Sequence, residues 1–450
     1  MDENAEEVFA RKQGIGGPYM PPCEANGRPE HLFGSYLPIN FVVPTRLRTK
    51  PTELIETVND WHFAMINDLD RNKFYQTLLH DAIDENSVVL EIGAGSGLLS
   101  IMAAKAGARL VIAIEANHEM AVLAQQIIAA NGMSDRICVI NKMSTDVHLD
   151  ELPAVPTILV SEILGTLLLG ESALHYVQDA RARLIAPRAT ILPALGTQYV
   201  SLIESDEVHQ ITAVRSWDGI DLRHFNALQD TTSLVFTKQY GFRFSSCAHR
   251  FLSDKLPVLA IDFAQAHTET AFLQEHRLRF RATATGVAHA ILASWDVSDP
   301  YRRQVMSTHP NDTRHNFPRD MQWGQALQLL EDTTDGLELP QPRPLRVTEG
   351  ESLTLVVRYA RDGVNFQCAV ERDGAPARTG KVVQRTQREA PSALPAGAHE
   401  NGSRASPAHT AAAKGKRPAP AANGTDAGRA APGCSGGTFE FDRDFPPLGH

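Results

Sequence analysis

Apolar and polar positions divide the chain into an alternating stretch, a strand-rich stretch and two ends with neither pattern. Five segments have the length and spacing of helices: Thr52–His62, Asp70–Ala82, Leu98–Ala106, Glu119–Asn131 and Ala173–Leu184. Between them lie short runs, nearly all apolar: Val88–Glu91, Leu110–Glu115, Ile137–Ile140 and Thr157–Val160. Runs that are apolar on both faces suit strands covered on both sides, so the alternation predicts a doubly wound parallel sheet. After Pro193 the texture changes. Gln198–Ile203, Ser233–Thr237, Leu256–Phe263, His276–Ala282, His289–Val297 and Leu353–Tyr359 read as strands, several alternating apolar with polar as Leu278-Arg-Phe-Arg-Ala does. Turn residues separate them, which predicts a β-barrel or sandwich. The expected organisation is an α/β domain over 45–193 and a β domain over 194–386. No internal repeat is visible, so the chain carries a single module.

The ends differ. Residues 1–44 contain a Gly- and Pro-rich stretch and read as flexible. In 387–450, Ala, Gly and Pro make up roughly half the residues and large aliphatics nearly vanish. Such a tail cannot bury enough apolar area to offset its ordering entropy, so it is expected to be disordered. Its last stretch, Phe439–Leu448, sets three Phe and a Leu among acids and reads either as a solvated end or as a docking motif for another protein.

Composition narrows the chemistry. Of 450 residues, 43% are hydrophobic and 21% charged, ordinary values for a soluble globular protein. A net charge of −10 argues against direct nucleic-acid binding by the folded surface and suits a basic partner. Five scattered cysteines without a CxxC pair argue against a disulfide framework and against zinc, so no metal is expected and a reducing compartment, cytoplasmic or also nuclear, is. The acidic start, MDENAEEVFA, does not resemble a secretory signal, and no apolar run is long enough for a membrane span.

The most informative segment is Val88-Val-Leu-Glu-Ile-Gly-Ala-Gly-Ser-Gly-Leu-Leu-Ser100. A strand enters a turn holding Gly93, Gly95 and Gly97, and a helix leaves it. Glycines there let a ligand approach the backbone. The strand ends in Glu91, which would repel a phosphate and attract an ammonium or sulfonium. The second strand ends in Glu115, about twenty residues after the glycines, placed to accept ribose hydroxyls. A Rossmann-like turn flanked by two acids fits S-adenosylmethionine, a cation with a free ribose and no phosphate. In such folds the loop after the third strand lies beside the adenine, which makes Met143 and Ser144 candidate contacts. Farther on, Thr157–Val160 leads into Ser161-Glu-Ile-Leu-Gly-Thr-Leu-Leu-Leu-Gly-Glu171. Two glutamates, Glu162 and Glu171, bracket a loop at the carboxyl end of a strand, where open α/β sheets bind ligands. Two acids without a metal motif call for a cation, and a planar guanidinium can be gripped by two carboxylates.

These residues resemble the core of the protein arginine methyltransferases. Val88–Ser100, Glu115 and the Glu162/Glu171 loop carry the resemblance, which extends over roughly residues 45–370. Met65–Tyr75 is similar to the family's cofactor-closing N-terminal helix, which implies that Arg71 lies near the methionine carboxylate and that Phe63 and Met65 wall the substrate pocket. Val139–Val147 and Ser161–Glu171 look most like the family's seventh, monomethylating member, the type III branch. The family's Thr-His-Trp loop is matched best by Met321-Gln-Trp-Gly-Gln325, which puts Gln322, with Trp323, where a His is usual; Ser307-Thr-His309 lacks the Trp and comes too early. Gln cannot act as a cation or general base. The resemblance implies Glu162 and Glu171 as catalytic residues, S-adenosylhomocysteine as product, arginine-containing and RNA-binding proteins as substrates, and a homodimer, because animal members of the branch resemble two fused modules. Two other readings stay open from the residues alone: a methyltransferase of a different substrate, and an idle scaffold recruiting partners through its tail.

Overall fold

The computed structural model describes residues 45–372 apart from 51, 59, 241, 268–274, 334–338 and 361–362. The expectations for residues 1–44, for the tail 387–450 and for Phe439–Leu448 lie outside the described residues. The described residues all fall within Met1–Arg378, and everything below concerns them.

The strands β1 (Val88–Ile92), β2 (Leu110–Ile114), β3 (Ile137–Ile140), β4 (Ile158–Ser161) and β5 (Thr190–Leu192) form a wholly parallel sheet in the order β3-β2-β1-β4-β5. Every residue of β1 and β4 is buried, the physical counterpart of their unbroken apolar runs. Register decides what the sheet presents at its carboxyl edge. Ile92 lies level with Ile114 of β2 and Ser161 of β4, and Ile114 with Ile140 of β3. The next residues, Gly93, Glu115, Glu162 and Asn141, therefore leave the sheet side by side. Strand order reverses between β1 and β4, the crevice where such sheets take ligands.

Helices α1 (Thr52–Thr57), α2 (Asp60–Asn67), α3 (Leu69–Ala82), α4 (Leu98–Lys105), α5 (His118–Ala130) and α6 (Ala173–Arg183) accompany the sheet. Two expectations change here. Thr52–His62 is not one helix: it is α1 and the start of α2. Met65–Tyr75 is also divided, because Asp68 is extended and its side chain accepts the Arg71 N–H at 3.0 Å, capping α3.

β6 (Leu195–Glu204) begins the antiparallel part. It pairs with Ala290–Ser298, Arg250–Phe251 and Leu256–Asp262, and Ala290–Ser298 pairs in turn with Ala326–Leu329 and Val305–Ser307. A second sheet joins His276–Arg281, Ser352–Tyr359 and Phe366–Arg372. The expected strand Ser233–Thr237 shrinks to Val235–Phe236, and Phe366–Arg372 is a strand the pattern reading passed over, although Phe366, Cys368 and Val370 point inward at period two. The short helix α7 (Phe317–Gln322) packs against α2. One continuous apolar core runs from Leu159 and Leu168 to Val200, Trp295 and Leu355, so the change of texture at residue 193 is a change of sheet type within one core.

Candidate active site

The turn after β1 is built by backbone geometry. The Gly93 and Ala94 N–H groups both donate to the Ile114 carbonyl at 3.0 Å, which ties the turn to β2. Gly93 has φ +74°, and a Cβ on it would come within 2.9 Å of the Ile163 side chain, so the position demands glycine twice over. Glu115 locks the next turn: its Oε2 accepts the Gly95 N–H at 2.8 Å and its Oε1 the Asn117 N–H at 2.9 Å. Each oxygen keeps acceptor capacity for a ligand. Glu91 is buried and accepts the Ser100 hydroxyl; burial pushes its pKa up to about 8, with Ser100 and Arg71 acting the other way. At the end of β3, Asn141 donates to the Glu115 carbonyl at 2.9 Å. Met143 is half-buried, and Ser144 is buried with an Oγ that has no partner among the described residues. A cleft lies between this turn and α2–α3, lined by Met65, Ile66, Arg71, Glu91, Gly95 and Glu162, among others.

Across the crevice, Glu162 is held rather than free. Arg71 donates to its Oε2 from Nη2 at 2.7 Å and from Nε at 3.2 Å, with both side chains almost wholly buried. Burial opposes the Arg71 charge, but Glu162, Tyr75 and Asp68 outweigh it and hold its pKa above the ordinary arginine value. The Gln322 amide reaches the same Oε2 at 3.4 Å, while its own buried Oε1 has no partner among the described residues. Glu171 closes the loop. It keeps access to solvent yet is densely surrounded by protein, and that desolvation, then Glu162, pushes its pKa up to about 8, against an opposing pull from Lys238. Glu171 makes no hydrogen bond or ion pair of its own among the described residues. Ser172, next in the chain, holds φ 59°, a conformation that costs a non-glycine residue roughly 1–3 kcal/mol and that concentrates at functional sites.

The loop between the two glutamates is supported from the antiparallel part. The indole N–H of Trp323 donates to the Leu164 carbonyl at 2.8 Å and that of Trp295 to the Gly165 carbonyl at 2.9 Å, the two rings meeting edge to face. The Gln198 side chain accepts the Leu168 N–H at 2.9 Å. Gly165 and Gly170 cross so closely that a Cβ on either would fall within 2.9 Å of the other's Cα. Nothing in the Glu162–Glu171 spacing signals these supports, because Trp295 and Gln198 lie in distant strands.

The structure brings Met65, Arg71, Glu91, Gly93, Gly95 and Glu162 together around one cleft. Gly97 opens α4 in the left-handed conformation. Of the residues expected at the substrate pocket, Phe63 is 62% exposed on α2, and Trp323 is 3% exposed, its indole bonded to the loop it supports. His309 stacks on Phe251, and burial draws its pKa down to about 4. Sequence reasoning missed Asp68 and Arg319. Besides capping α3, Asp68 is paired with Arg319 Nε at 3.0 Å and accepts from Asn316 at 2.8 Å, all but sealed from water. That pair binds the start of α3, which carries Arg71, to α7, which ends in Gln322.

The chain resembles known proteins over about two thirds of its length. A family model described as ribosomal protein L11 methyltransferase (PrmA) matches residues 75–179. An arginine N(omega)-methyltransferase of Streptomyces achromogenes subsp. streptozoticus is 34% identical over 296 residues, 66% of this chain and 74% of that protein. Protein arginine N-methyltransferase 7 of Danio rerio is 31% identical over 320 residues, 68% of this chain but 45% of that protein, so the chain matches less than half of that relative. Among solved structures, the Trypanosoma brucei PRMT1 enzyme-prozyme heterotetrameric complex with AdoHcy superposes with a TM-score of 0.57 at 24% identity, over 71% of this chain and 95% of that one. Arabidopsis thaliana protein arginine methyltransferase 10 gives 0.53 at 21%, over 72% and 97%. At those identities the likeness concerns the fold.

Proposed function

The chain belongs to the protein arginine methyltransferase family, close to its seventh member, and on that premise we propose that it transfers a single methyl group from S-adenosylmethionine to a guanidinium nitrogen of arginine in basic, Arg/Gly-rich or RNA-binding proteins. The observation that carries the reading is the acceptor set at the end of β4. Glu162 is fixed by Arg71, Glu171 stands without a hydrogen-bond or ion-pair partner among the described residues, and Gln322, whose amide N–H reaches Glu162, leaves its buried carbonyl oxygen unpaired among them. A carboxylate fixed in place, a second carboxyl group without a partner among the described residues and an unpaired amide oxygen match a planar group that has only donors.

The residues of the cleft fit the cofactor. Ser144 holds a buried hydroxyl without a partner among the described residues, Glu115 retains acceptor capacity, and a cation beside Glu91 would draw out the proton that burial keeps on it. Met65, Arg71, Glu91, Gly93, Gly95, Gly97, Glu115, Met143 and Ser144 are the residues we assign to it. When bound, S-adenosylmethionine would supply a methyl group on a sulfonium, whose neutral thioether, S-adenosylhomocysteine, is a good leaving group. The chain's part is positioning and electrostatics. Glu162 and Glu171 orient the guanidinium and draw its charge toward the nitrogens they hold, leaving the remaining terminal nitrogen electron-rich. The guanidinium keeps its proton near neutral pH, so that proton leaves with or after the transfer.

A homodimer completes the reading. Between β6 and Val235 the chain exposes Ile211, Trp217, Ile220, Leu222, Phe225 and Leu228, an apolar grouping that a second copy would cover. The test is mass spectrometry of an Arg/Gly-rich peptide incubated with methyl-labelled S-adenosylmethionine. Monomethylarginine is expected as the sole product at long incubation. Dimethylarginine in quantity overturns the one-methyl reading, and no label on arginine overturns the arginine substrate.

A further inference from the structure

The turn that carries Met143 and Ser144 is gripped from another element by a residue to which no motif pointed. Arg183 ends α6, and its half-buried guanidinium reaches the one-turn segment Ser144–Asp146 and the residue after it. Nη1 donates to the Val147 carbonyl at 2.8 Å. Nη2 donates to the Thr145 carbonyl at 3.1 Å and to the Ser144 carbonyl at 3.2 Å. Asp179, one turn earlier in α6, accepts from Nε at 2.8 Å and also from Nη2, which holds the fork in one orientation. All three nitrogens are engaged. In the sequence, a basic residue in the last turn of a helix reads as a partner for that helix's own carbonyls. Here the carbonyls belong to a segment 36 to 39 residues earlier.

The gripped turn has little of its own to hold it. Its internal bonds run from the Asp146 N–H to the Met143 carbonyl at 3.0 Å and from the Val147 N–H to the Ser144 carbonyl at 3.3 Å. A single 3₁₀ turn has poor hydrogen-bond geometry and is easily deformed. Its place nevertheless matters. The Ser144 hydroxyl is buried with no partner among the described residues. Asn141, three residues before it, donates to the Glu115 carbonyl at 2.9 Å and the Ala116 carbonyl at 3.1 Å, so the segment starts beside the loop that holds Glu115. We propose that Arg183 is a positioning residue for the cofactor: its planar fork fixes the turn that presents Met143 and Ser144 to the adenosyl half of S-adenosylmethionine. A guanidinium can bond several carbonyls and a carboxylate at once, whereas an ammonium is a point charge that cannot span them. This inference rests on the cofactor reading of the site.

The experiment compares wild type, R183Q, R183K, S144A and the R183Q/S144A double variant. Calorimetry with S-adenosylhomocysteine measures affinity, and steady-state transfer to an Arg/Gly-rich peptide separates the two KM values from kcat. In R183Q the S-adenosylhomocysteine affinity and the S-adenosylmethionine KM should each worsen about five- to tenfold, the size of one hydrogen bond lost to the ligand, with peptide KM and kcat at saturating cofactor within about twofold. R183K should fall with R183Q. S144A should cost about as much by itself, yet add less than about twofold to R183Q, because residues acting through one contact are not additive. In the cofactor-free protein, hydrogen exchange of the Asp146 and Val147 amides should quicken in R183Q. Unchanged affinity in R183Q overturns the proposal, as does a double variant whose losses multiply. R183K equal to wild type overturns it too, since a point charge then suffices. So does a loss of kcat and peptide KM as large as the cofactor loss, which marks general loosening. Wild-type protein that binds no S-adenosylhomocysteine overturns the cofactor reading itself, a different outcome from tight binding that is indifferent to Arg183.

Discussion

Glu162 and Glu171 look equivalent in the sequence and are not equivalent in the folded chain. Glu162 is the partner of a buried arginine that also lines the cofactor cleft, whereas Glu171 has no such second duty. Glu171→Gln is therefore expected to lower methyl transfer about 10²–10³-fold while cofactor affinity stays within a few-fold. Glu162→Gln should lose transfer as well and also weaken the cofactor, because it leaves the Arg71 guanidinium facing an amide. Calorimetry beside a transfer assay separates the two, and equal cofactor affinity in both variants would contradict the distinction. Glu91 adds a pH dependence. Its pKa is raised to about 8, so in the cofactor-free protein the carboxyl is mostly neutral at pH 6.5 and ionises as pH rises through 8. A cationic ligand favours the ionised form, so affinity should tighten between pH 6.5 and 7.5, by at most about tenfold for one proton released per ligand bound. Glu91→Gln should flatten that slope. The same shift means that Glu91 contributes stability below its unfolded pKa and loses that contribution as pH rises toward 8.

Among the elements, the joint between α2 and α3 and the loop after β4 matter most. Asp68 caps α3 and neutralises Arg319, so Asp68→Asn retains a capping oxygen but strands a buried guanidinium. Breaking such a pair costs about 3–5 kcal/mol. Urea unfolding should show a loss of that size, and a loss below about 1 kcal/mol would mean that the pair is dispensable. In the loop, Gly165→Ala sets a methyl group against the backbone of Gly170. The two ends must part, carrying Glu162 and Glu171 with them. Transfer should fall by at least tenfold with cofactor affinity nearly retained, and full activity would show that the crossing is not needed. These devices also mark where the pattern reading stopped. It found α3 to α6 within a residue or two but merged α1 with the start of α2, and the family resemblance carried one helix through Asp68, because a cap looks like any polar residue until its acceptor finds an N–H.

At the scale of the molecule, the proposed dimer and the tail are the open tests. Trp217 and Phe225 are 76% and 66% exposed on the segment after β6. W217A combined with F225A should shift light scattering from twice the chain mass toward one chain mass and lower turnover; a wild-type protein that is already monomeric and fully active contradicts the dimer. Removing residues 390–450 should leave turnover of a short peptide nearly intact, since their composition cannot contribute to a core. A large loss would place the tail in the active site.

The period of the apolar residues sufficed for a parallel sheet followed by antiparallel strands, and the three glycines with Glu91 and Glu115 for proposing a cationic, ribose-bearing cofactor at the first strand's end. Local order was enough there because a strand, its turn and its helix are neighbours in the chain. The sequence also named both glutamates, but not their inequality. That difference comes from Arg71, 91 residues before Glu162, and from the way Asp68 meets Arg319 across 251 residues. Phe63 and Trp323 show the same limit: their places in the sequence did not tell that one stands exposed on α2 and the other is buried against the loop between the glutamates. Which of two like residues faces a cleft is settled by what buries its neighbours, and those neighbours are brought together only when the β4 loop, α2–α3 and α7 close on one another.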